Sequence, residues 1–507
     1  MVLGIDLGTC NTVAASLSLD GTPVLIPDAY NKEQQSTPSV ALIEGKKAYA
    51  GGFAENLYES LPNKEIISYF KRSFGTQEPV YFDDNKNPWF SESIASLIIK
   101  KIKNDAALYL PDGYKEAVIT VPAHYNDVQR KSVIEAARLA NLELAAIVEE
   151  PVAAALFYSS FSRNIDDEII LIYDFGGGTF DLTLITKTGN KLNVIAKDGV
   201  NKLGGREFDE IIFNNIKESY EKAFKSAFPT DRLNNNRIQK VAENIKIELN
   251  NNEIPRNLSK WILVGRDAFE TTFDYESYAI KAKLLITSTE TAINRCLRSL
   301  GMQFSDVNKV VLIGGTSSSK LVYDFWKQKI GPTQELIYHQ PLSSVAKGAA
   351  LYAASFGDNA RDSKLEPVEL KSVSTYNIGI KYSDDSNNRI DLLINRNTPL
   401  PVLARKVYQI NTQQSEYVSL DLCQFWNANE DLQKLGIIKA GPFSMYADFH
   451  MEVNIENRLN GTIGVKLKNA DTGKDIKFEF IRQSSNHKYD FGHQKSLVDG
   501  VYLNNNI

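Results

Sequence analysis

The sequence predicts an α/β domain built from two similar halves, followed by a second domain of antiparallel β-strands. Residues 4–17 and 172–185 share one pattern, an aspartate before a glycine turn and then a second apolar run. Helical and strand patterns alternate around both segments, which is typical of α/β domains. Beyond about residue 356 the helical period disappears and apolar residues alternate with polar ones, as in half-buried strands.

Size and composition are those of a soluble globular protein with more than one domain. The chain has 507 residues, 43% hydrophobic and 23% charged, with a net charge of −5. This slight acidity gives no electrostatic basis for binding nucleic acid. The three cysteines, Cys10, Cys296 and Cys423, are far apart and argue against a disulfide framework. The N-terminal stretch lacks the basic region of a signal peptide, so we expect a cytoplasmic protein without a membrane partner.

The elements of the first domain follow from periodicity and from signals at their ends. Residues 92–110 carry apolar residues at helical spacing, and Ser91 is the expected N-cap. The same reasoning predicts three more elements: a buried strand at 115–122, a helix at 126–142 that begins at Asn126 or Asp127, and a buried strand at 308–315.

The elements of the second domain follow from period-two alternation. Strands are expected at 389–395 and 417–425. Residues 451–481 predict an antiparallel meander, since Asn460-Gly461 is a strong hairpin turn between two alternating runs. After about residue 483 the chain is polar with few apolar positions, which indicates a short or disordered tail.

Four glycine turns are candidate phosphate-binding segments. They lie at Gly8–Asn11, Gly176–Thr179, 203–205 and 313–318. Successive backbone N–H groups in such turns form concavities that bind anions. Any one of them alone is more often a tight turn, but four in one chain favour a bound polyphosphate.

A triphosphate needs a divalent cation, and magnesium prefers oxygen ligands and keeps several waters. Asp6, Asp174 and Asp181 stand beside the glycine turns and fit a magnesium site, mostly through water. Glu150 is a candidate to orient the attacking water. A lysine near the γ-phosphate is also expected, although spacing alone does not choose one.

These segments resemble the 70-kDa heat-shock (DnaK-type) chaperones, from residue 2 to about 355 and more weakly to about 481. The motifs that carry the resemblance are "GIDLGTCNT" (4–12), "FKRSFG" (70–75), "VITVPAHYNDVQR" (118–130), "EEPVAAA" (149–155), "DFGGGTFD" (174–181), "LGGREFD" (203–209) and "NGTIGVKLKNADTGK" (460–474).

The resemblance implies an actin-like (sugar-kinase/heat-shock-chaperone) duplicated ATPase domain followed by a β-sandwich. The implied divisions are an ATPase domain over 1–355, a linker over 356–374, a β-sandwich over 375–482 and a polar tail over 483–507. No amphipathic helix as long as the family's helical lid follows residue 481, so a lidless member is expected.

The resemblance also implies a role for each site residue. Lys71 and Glu150 would position the attacking water, and Asp174 and Thr179 would complete the catalytic set. Asp6, Asp174 and Asp181 would hold Mg²⁺ through water, and K⁺ is a further cofactor that the resemblance suggests. The residues implied to contact ATP or ADP are Gly8, Thr9, Cys10, Asn11, Gly176, Gly177, Gly178, Thr179, Gly204, Gly205, Glu243, Lys246, Ile247, Asn250, Gly314, Gly315, Thr316 and Ser318.

The base-binding positions depart from the family pattern. In helix 237–250, Glu243 and Lys246 stand where the ribose is contacted, and Asn250 replaces a serine that reaches adenine. Ile247 stands where the family has an arginine that stacks on adenine, and Ser318 stands where it has the opposing arginine. Because such stacking contributes ~1 kcal/mol per contact, we expect weaker nucleotide binding and poorer discrimination against GTP.

Three functions follow from these observations. The first is an ATP-dependent chaperone-like protein that couples ATP hydrolysis to binding of unfolded or extended polypeptide, with a J-domain co-chaperone and a nucleotide exchange factor as implied partners. The second is a nucleotide-controlled scaffold or regulator whose β-domain binds one dedicated protein. The third is a sugar-kinase-like enzyme. The motifs "TPSV" (37–40) and "VPAHYND" (121–127), together with the β-domain, argue against it.

Overall fold

The structure is a computed structural model that describes most of the chain. The described residues are 1–60, 65–76, 78–110, 113–114, 116–161, 167–250, 257–355, 369–384, 387–412, 415–426, 432–481 and 489–504. Two lobes form the α/β part, and a β-domain follows them. In the described residues, no helix is both long enough and apolar enough to cross a lipid bilayer.

The first lobe contains ten strands and four helices within its described residues. They are β1 (Val2–Asp6), β2 (Asn11–Leu17), β3 (Pro23–Ile26), β4 (Thr37–Pro38), β5 (Ala41–Glu44), β6 (Lys47–Ala50), α1 (Gly52–Ser60), β7 (Tyr81–Phe82), β8 (Pro88–Trp89), α2 (Ser91–Tyr109), β9 (Glu116–Val121), α3 (Asp127–Leu139), β10 (Leu144–Glu149) and α4 (Glu150–Phe161).

The second lobe has a comparable set of elements in the part of the chain that is described. They are β11 (Glu168–Phe175), β12 (Phe180–Thr188), β13 (Lys191–Val200), α5 (Gly205–Phe224), α6 (Arg232–Leu249), β14 (Asn257–Val264), β15 (Asp267–Asp274), α7 (Tyr275–Arg298), β16 (Lys309–Ile313), α8 (Lys320–Lys329), β17 (Glu335–Ile337) and α9 (Ser344–Ala353).

The central sheets of the two lobes have the same topology. The strand order is β10-β9-β1-β2-β3 in the first lobe and β17-β16-β11-β12-β13 in the second. In each sheet three antiparallel strands are extended by two parallel ones. The lobes join where α9 crosses α4, and only glycine fits there, since a Cβ on Gly348 would lie 1.7 Å from the carbonyl oxygen of Ala153.

At two helix starts, the N-cap residues predicted from the sequence can be compared with the structure. Asn126 is the N-cap of α3 and forms a capping box with Gln129, so that expected start is confirmed. The expected N-cap Ser91 is wrong by one position. Phe90 precedes α2 without a side-chain cap, and Ser91 is instead a buried first residue of the helix.

The third part of the chain is mainly strands. They are β18 (Glu369–Lys371), β19 (Asn377–Asp384), β20 (Asn387–Ile394), β21 (Val402–Asn411), β22 (Val418–Phe425), β23 (Gln433–Ala440), β24 (Asp448–Asn457), β25 (Ile463–Asn469) and β26 (Phe478–Ile481), followed by α10 (Phe491–Gly500) and β27 (Tyr502–Leu503).

The β-domain, β19 to β26, consists of two antiparallel sheets around one apolar core. The sheet orders are β20-β19-β22-β23-β26 and β21-β24-β25. The hairpin at Asn460-Gly461 is confirmed, because β24 pairs with β25 and Gly461 has a φ of 73°. The expected three-stranded meander is wrong in its last strand. β26 leaves β25 and pairs with β23, which moves its apolar residues to the other sheet.

The expected linker is partly a strand. Residues 356–368 lie outside the described part of the chain, but β18 pairs in parallel with β13 and extends the sheet of the second lobe. Val373, which follows β18, is 5% exposed. Residues 369–374 are therefore packed against the α/β part rather than forming a free connection.

The expected disordered tail is wrong for residues 489–504, which we name the C-terminal segment. Gln494 lies against α2, where it accepts a hydrogen bond from Ser93 Oγ at 2.5 Å. Val498 is 0% exposed within the core of the first lobe. β27 then adds to β6 as a parallel strand. The sequence signal was weak because α10 buries only two side chains, Gln494 and Val498.

The β-domain contacts the first lobe along α3. Asp127 Oδ1 accepts a hydrogen bond from the N–H of Ile463 at 2.7 Å, and Arg130 Nη1 donates to the carbonyl of Asn460 at 2.9 Å. Both contacts reach the Asn460-Gly461 hairpin. The N-terminal end of α3 therefore carries a main docking contact of the β-domain.

Candidate functional site

The glycine turns of the two lobes face each other at the centre of the α/β part. A Cβ on Gly177 would lie 2.5 Å from Cys10 Sγ, and one on Gly178 would lie 2.8 Å from Thr9 Oγ1. A Cβ on Gly8 would lie 2.0 Å from the carbonyl oxygen of Asn11. Side chains at Gly177 and Gly178 would therefore separate the two turns, and one at Gly8 would disrupt its own turn.

The other two glycine segments join the same centre. The N–H of Gly205 donates to Gly176 O at 3.0 Å, and a Cβ on Gly204 would lie 2.6 Å from Gly178 N. Thr316 Oγ1 donates to Gly176 O at 2.8 Å. Gly314 has a φ of 86°, and a Cβ there would lie 2.7 Å from Asp174 Oδ1. Gly315 directly precedes the short helix Thr316–Ser318. All four segments are thus brought together.

An ion pair lies beside these turns. Lys71 Nζ is 2.7 Å from Glu150 Oε1, and the two side chains are 4% and 10% exposed. Lys71 is in a short 3₁₀ helix, Phe70–Ser73, while Glu150 is the first residue of α4 at the end of β10. Burial by itself favours the neutral form of Lys71, but Glu150 outweighs it and holds the lysine pKa above its usual value.

Three further carboxylates surround this pair. Asp174 and Asp181 face each other across the β11–β12 hairpin, and Asp6 accepts a hydrogen bond from Thr120 Oγ1 at 3.1 Å. Burial, and then Glu150, raise the pKa of Asp6 to about 7. Burial, Glu150 and Asp181 raise the pKa of Asp174 well above its usual value. With all of these carboxylates ionised, the cluster would carry more negative charge than Lys71 compensates, and the raised pKa values are the consequence.

A divalent cation fits this excess charge. Asp181 Oδ2 is buried without a hydrogen-bond partner among the described residues. Across the ranges that the structure describes, no group of three His, Cys, Asp or Glu side chains is close enough to hold a metal directly. Asp6, Asp174 and Asp181 would accordingly act through water, as Mg²⁺ allows, because it keeps several of its waters.

His124 is a neighbour of this cluster that sequence reasoning did not single out. Its N–H donates to Asp181 Oδ1 at 3.0 Å, and its Nδ1 lies 2.6 Å from the same oxygen. The side chain is 2% exposed. Its place directly after "VPA", between a buried strand and a helix start, was the available signal.

The expected base-binding residues lie on and beside α6. Lys246 Nζ is 2.7 Å from Asp209 and 3.4 Å from the carbonyl of Gly205. Asn250 Nδ2 donates to Tyr278 Oη at 3.2 Å, while its Oδ1 has no partner among the described groups. Ile247 is 59% exposed, and Ser318 Oγ is buried without a partner in the described part of the chain.

A cavity of about 240 Å³ lies between the lobes, next to Glu243, Thr9, Cys10 and Asn11. Its walls include residues that sequence reasoning missed. Lys240 Nζ bridges to Glu55 of the first lobe at 2.7 Å. The backbone of Tyr69 has a φ of 54°. Its ring lies 4.7 Å from the guanidinium of Arg206.

A comparison with protein families agrees with this arrangement. A model of the Hsp70 protein family matches residues 2–491 of the 507-residue chain. The match includes both glycine hairpins, the Lys71–Glu150 pair and the β-domain. Mixed α/β lobes followed by a β-domain fit the actin-like ATPase and β-sandwich that were expected. The chain therefore belongs to the Hsp70 family.

Proposed function

We propose that this Hsp70 family member hydrolyses ATP to ADP and phosphate, and that nucleotide controls binding of extended polypeptide by its β-domain. The observation that carries the proposal is the buried Lys71–Glu150 ion pair, 2.7 Å long, between the glycine hairpins of the two lobes. Phosphoryl transfer depends mainly on positioning and on charge stabilisation, and both are available here.

Each residue has a proposed part in hydrolysis. Glu150 orients the attacking water, and Lys71 holds Glu150 and stabilises charge that develops on the γ-phosphate. The backbone N–H groups of the glycine turns, with Thr9 and Thr179, hold the phosphates. Asp6, Asp174 and Asp181 would hold Mg²⁺ through water, and the cation would supply charge neutralisation beside the phosphates.

The main chain of His124 supports coupling to the β-domain. On one side its N–H donates to Asp181 of the carboxylate cluster. On the other side its carbonyl accepts a hydrogen bond from Tyr376 Oη at 2.6 Å. Tyr376 directly precedes β19, the first strand of the β-domain. A shift of Asp181 on nucleotide binding would therefore be transmitted to the β-domain by linkage.

The edges of the β-domain support polypeptide binding. β20 and β21 each end their sheets and have one strand partner among the described strands. An extended peptide can add to such an edge through backbone hydrogen bonds, with side-chain pockets providing specificity. Leu403 and Val407 of β21 are 51% and 48% exposed.

The experiment is ATP turnover by the full-length protein with and without an unfolded peptide, for wild type and Lys71→Ala. We expect loss of turnover in Lys71→Ala with ADP binding retained, and faster turnover of wild type with peptide. Unchanged turnover in Lys71→Ala would contradict the catalytic assignment. Turnover that ignores peptide would contradict the coupling.

The C-terminal segment favours the scaffold as a second candidate. β18 holds the start of the β-domain to the second lobe, and the C-terminal segment holds the chain after β26 to the first lobe. A β-domain fixed at both ends would leave little freedom for closure on an unfolded peptide. In that case the nucleotide-controlled scaffold would bind one stoichiometric protein partner, and unfolded peptide would not change ATP turnover.

A further inference from the structure

We propose that the C-terminal segment is a detachable strap that slows release of nucleotide from the cleft between the lobes, and that movement of the β-domain detaches it. The inference rests on the proposed binding of nucleotide between the lobes and adds a regulatory part for residues 489–504. None of the described residues that line the cavity beside Glu243 belongs to this segment, so its effect on nucleotide must pass through the first lobe.

The C-terminal segment is held to α2 and β8 by a few specific contacts. Gln494 accepts a hydrogen bond from Ser93 Oγ, and its Nε2 donates to the carbonyl of Pro88 at 2.9 Å. Lys100 Nζ donates to the carbonyl of Val498 at 3.0 Å. Gln494 and Val498 are the two side chains that α10 buries. The attachment is therefore precise in position but small in area, which suits a contact that opens and closes.

β27 completes one edge of the small sheet that contains β6. Tyr502 lies opposite Lys47, and Leu503 lies opposite Ala48, in a parallel pairing. The N–H of Asn504 donates to the carbonyl of Ala48 at 2.9 Å. Among the described strands, β6 is held by β5 on one edge and by β27 on the other. Detachment of the C-terminal segment would leave β6 with one strand partner.

β6 leads directly into α1. The strand ends at Ala50, and the helix begins at Gly52. The turn between them is tight, since Gly51 has a φ of 72° and a Cβ there would lie 2.7 Å from Thr37 Cγ2. The N–H of Gly52 donates to Asp28 Oδ2 at 3.2 Å. In such close packing a shift of β6 is passed to the start of α1 rather than absorbed by the turn.

α2 is the other element that the C-terminal segment contacts, and it holds the same helix start. Lys101 Nζ of α2 lies 3.0 Å from Asp28 Oδ1, while Asp28 Oδ2 accepts the hydrogen bond from Gly52. The side chains of Lys101 and Asp28 are 2% and 0% exposed, so this link is enclosed. Lys101 directly follows Lys100, which donates to the C-terminal segment. The segment thus contacts both elements that fix the start of α1.

α1 provides one end of a bridge across the cleft. Glu55 lies 2.7 Å from Lys240 of α6, and both residues line the cavity to which Thr9 and Cys10 of the glycine turn also contribute. Lys240 also pairs with Glu243 at 2.9 Å. A nucleotide bound between the lobes leaves when they separate, so release requires this bridge to open. Displacement of α1 would weaken the bridge and speed release.

The place of the segment in the chain couples it to the β-domain. Tyr489 follows Ile481, the last residue of β26, by eight residues. A connection of eight residues spans at most roughly 29 Å when fully extended. β26 pairs with β23 of the β-domain, whereas β27 pairs with β6 of the first lobe. A large movement of the β-domain away from α3 would therefore pull the segment from its site.

The first experiment fixes the segment in place with a disulfide. Lys47 and Tyr502 lie opposite each other and are both exposed, so Lys47→Cys/Tyr502→Cys can be joined outside the core. Release of a fluorescent ADP analogue from the full-length protein is followed after addition of excess unlabelled ADP. We expect release at least about fivefold slower in the oxidised than in the reduced double variant. Equal rates would overturn the proposal.

The control for the first experiment is Tyr502→Cys alone, under the same oxidising and reducing conditions. It retains the three native cysteines, Cys10, Cys296 and Cys423, but cannot form the new disulfide. Its rate of ADP release should not depend on oxidation. A slowing as large as that of the double variant would assign the effect to a native cysteine and overturn the proposal.

A loosening variant tests the same contact in the opposite direction. Gln494→Ala removes both hydrogen bonds to the first lobe, so ADP release should become about threefold faster. Ser496→Ala, at an exposed position on α10, is the matched control and should release ADP like wild type. Adding the disulfide to Gln494→Ala should restore slow release. Fast release that persists with the disulfide would indicate general damage to the first lobe and overturn the strap.

Amide hydrogen exchange tests the route through β6 without nucleotide. In the nucleotide-free double variant, the amides of α1 should exchange at least about threefold more slowly after oxidation. The amides of α8 in the second lobe are the control and should not change. Unchanged exchange in α1 would overturn this route.

A further variant tests the part of the β-domain. Asp127→Ala removes the hydrogen bond from α3 to the N–H of Ile463, so it should loosen docking of the β-domain. In the reduced double variant it should speed ADP release about threefold, and in the oxidised form it should have no effect. Equal acceleration in both forms would overturn the coupling between the β-domain and the segment.

The strap and the proposed ATPase can fail separately. Release of ADP needs no hydrolysis, so the disulfide tests the strap even in a protein without turnover. Turnover combined with ADP release that ignores the disulfide would overturn the strap and leave the ATPase intact. Slower ADP release on oxidation in a protein without turnover would support the strap and overturn the ATPase.

Discussion

Lys197 and Glu149 form a buried ion pair between the two lobes, with 2.8 Å between the ammonium and the carboxylate. Lys197 lies on β13 and Glu149 at the end of β10, one residue before Glu150. Arg130 also donates to Glu149, at 2.9 Å. Lys197 in turn donates to Ser372 Oγ at 2.8 Å, in the segment that leads to the β-domain. One carboxylate thus joins both lobes, α3 and the start of the β-domain.

We expect Glu149→Gln to destabilise the protein by ~3–5 kcal/mol, because it leaves two buried cations without their carboxylate. Burial already lowers the pKa of Lys197 despite this ion pair. Urea unfolding measures the effect. The double variant Glu149→Leu/Lys197→Met should lower the free energy of unfolding less than Glu149→Gln alone does. A single-variant cost below about 1 kcal/mol would show that water or other groups replace the carboxylate.

A second contact holds the β-domain to the second lobe. Asp198 is fully buried and pairs with Arg295 of α7 and, at 3.1 Å, with Arg396 that follows β20. The two guanidinium groups lie 4.7 and 4.9 Å from the ring of Trp426. Two lobe residues and two β-domain residues therefore share one cluster.

We expect Arg396→Ala to release this contact and to expose Trp426, since a desolvated cation over an indole is worth ~2 kcal/mol. Tryptophan fluorescence should shift to longer wavelength, and the shift should disappear in a Trp426→Phe background. Arg405→Ala, at an exposed position on β21, is the matched control. Equal spectra for the two arginine variants would contradict the prediction.

The C-terminal segment should contribute to the stability of the first lobe. Val498 is 0% exposed and Gln494 is 1% exposed. Val498→Ala should lower the free energy of unfolding by ~2 kcal/mol, because it leaves a cavity in the core. Urea unfolding measures the change. Ser496→Ala, on the exposed side of α10, should change stability by less than about 0.5 kcal/mol. An unchanged free energy of unfolding in Val498→Ala would mean that the C-terminal segment is not packed in solution.

A pair of carboxylates in the first lobe predicts that the stability of the protein depends on pH. Asp28 and Asp105 share the buried ammonium of Lys101, at 3.0 and 2.5 Å. Burial raises the pKa of Asp105 to about 6, from an unfolded value of 3.8. The folded state therefore binds the proton more tightly, and stability falls as pH rises from about 4 to about 6.

Asp105→Asn should remove this loss, which is up to ~3 kcal/mol for a shift of this size. Urea unfolding at several pH values between 4 and 8 gives the difference between wild type and variant. That difference should be small near pH 4 and favour the variant above pH 6. The control is Asp324→Asn, at a carboxylate whose side chain is 40% exposed. Parallel pH profiles for the two variants would rule out the assignment.

The base-binding site predicts a gain of affinity. Ile247 is 59% exposed beside Lys246, so an arginine at this position has room to extend over a bound base. Ile247→Arg should tighten ATP binding about two- to fivefold through stacking and should strengthen preference over GTP. Calorimetry with both nucleotides measures this. Ile247→Leu is the control, and equal affinities in the two variants would exclude stacking at this position.

The sequence by itself determined those features that depend on neighbouring residues. The α3 start at Asn126 and the Asn460-Gly461 hairpin follow from local capping and turn chemistry. The glycine turns and Asp6, Asp174 and Asp181 were also visible, because phosphate and cation chemistry needs these residue types. Their family motifs singled out Lys71 as well, which spacing alone did not.

Tertiary structure decided the features whose partners are distant in the chain. The pairing of β26 with β23, the docking of β18 on β13 and the burial of Val498 leave almost no local pattern. The position of His124 between Asp181 and Tyr376 likewise depends on groups of other elements. Each of these features is set by packing between segments that are distant in the sequence, 44 residues apart for Ile437 and Ile481 and farther for the others. Neither periodicity nor turn chemistry encodes such packing.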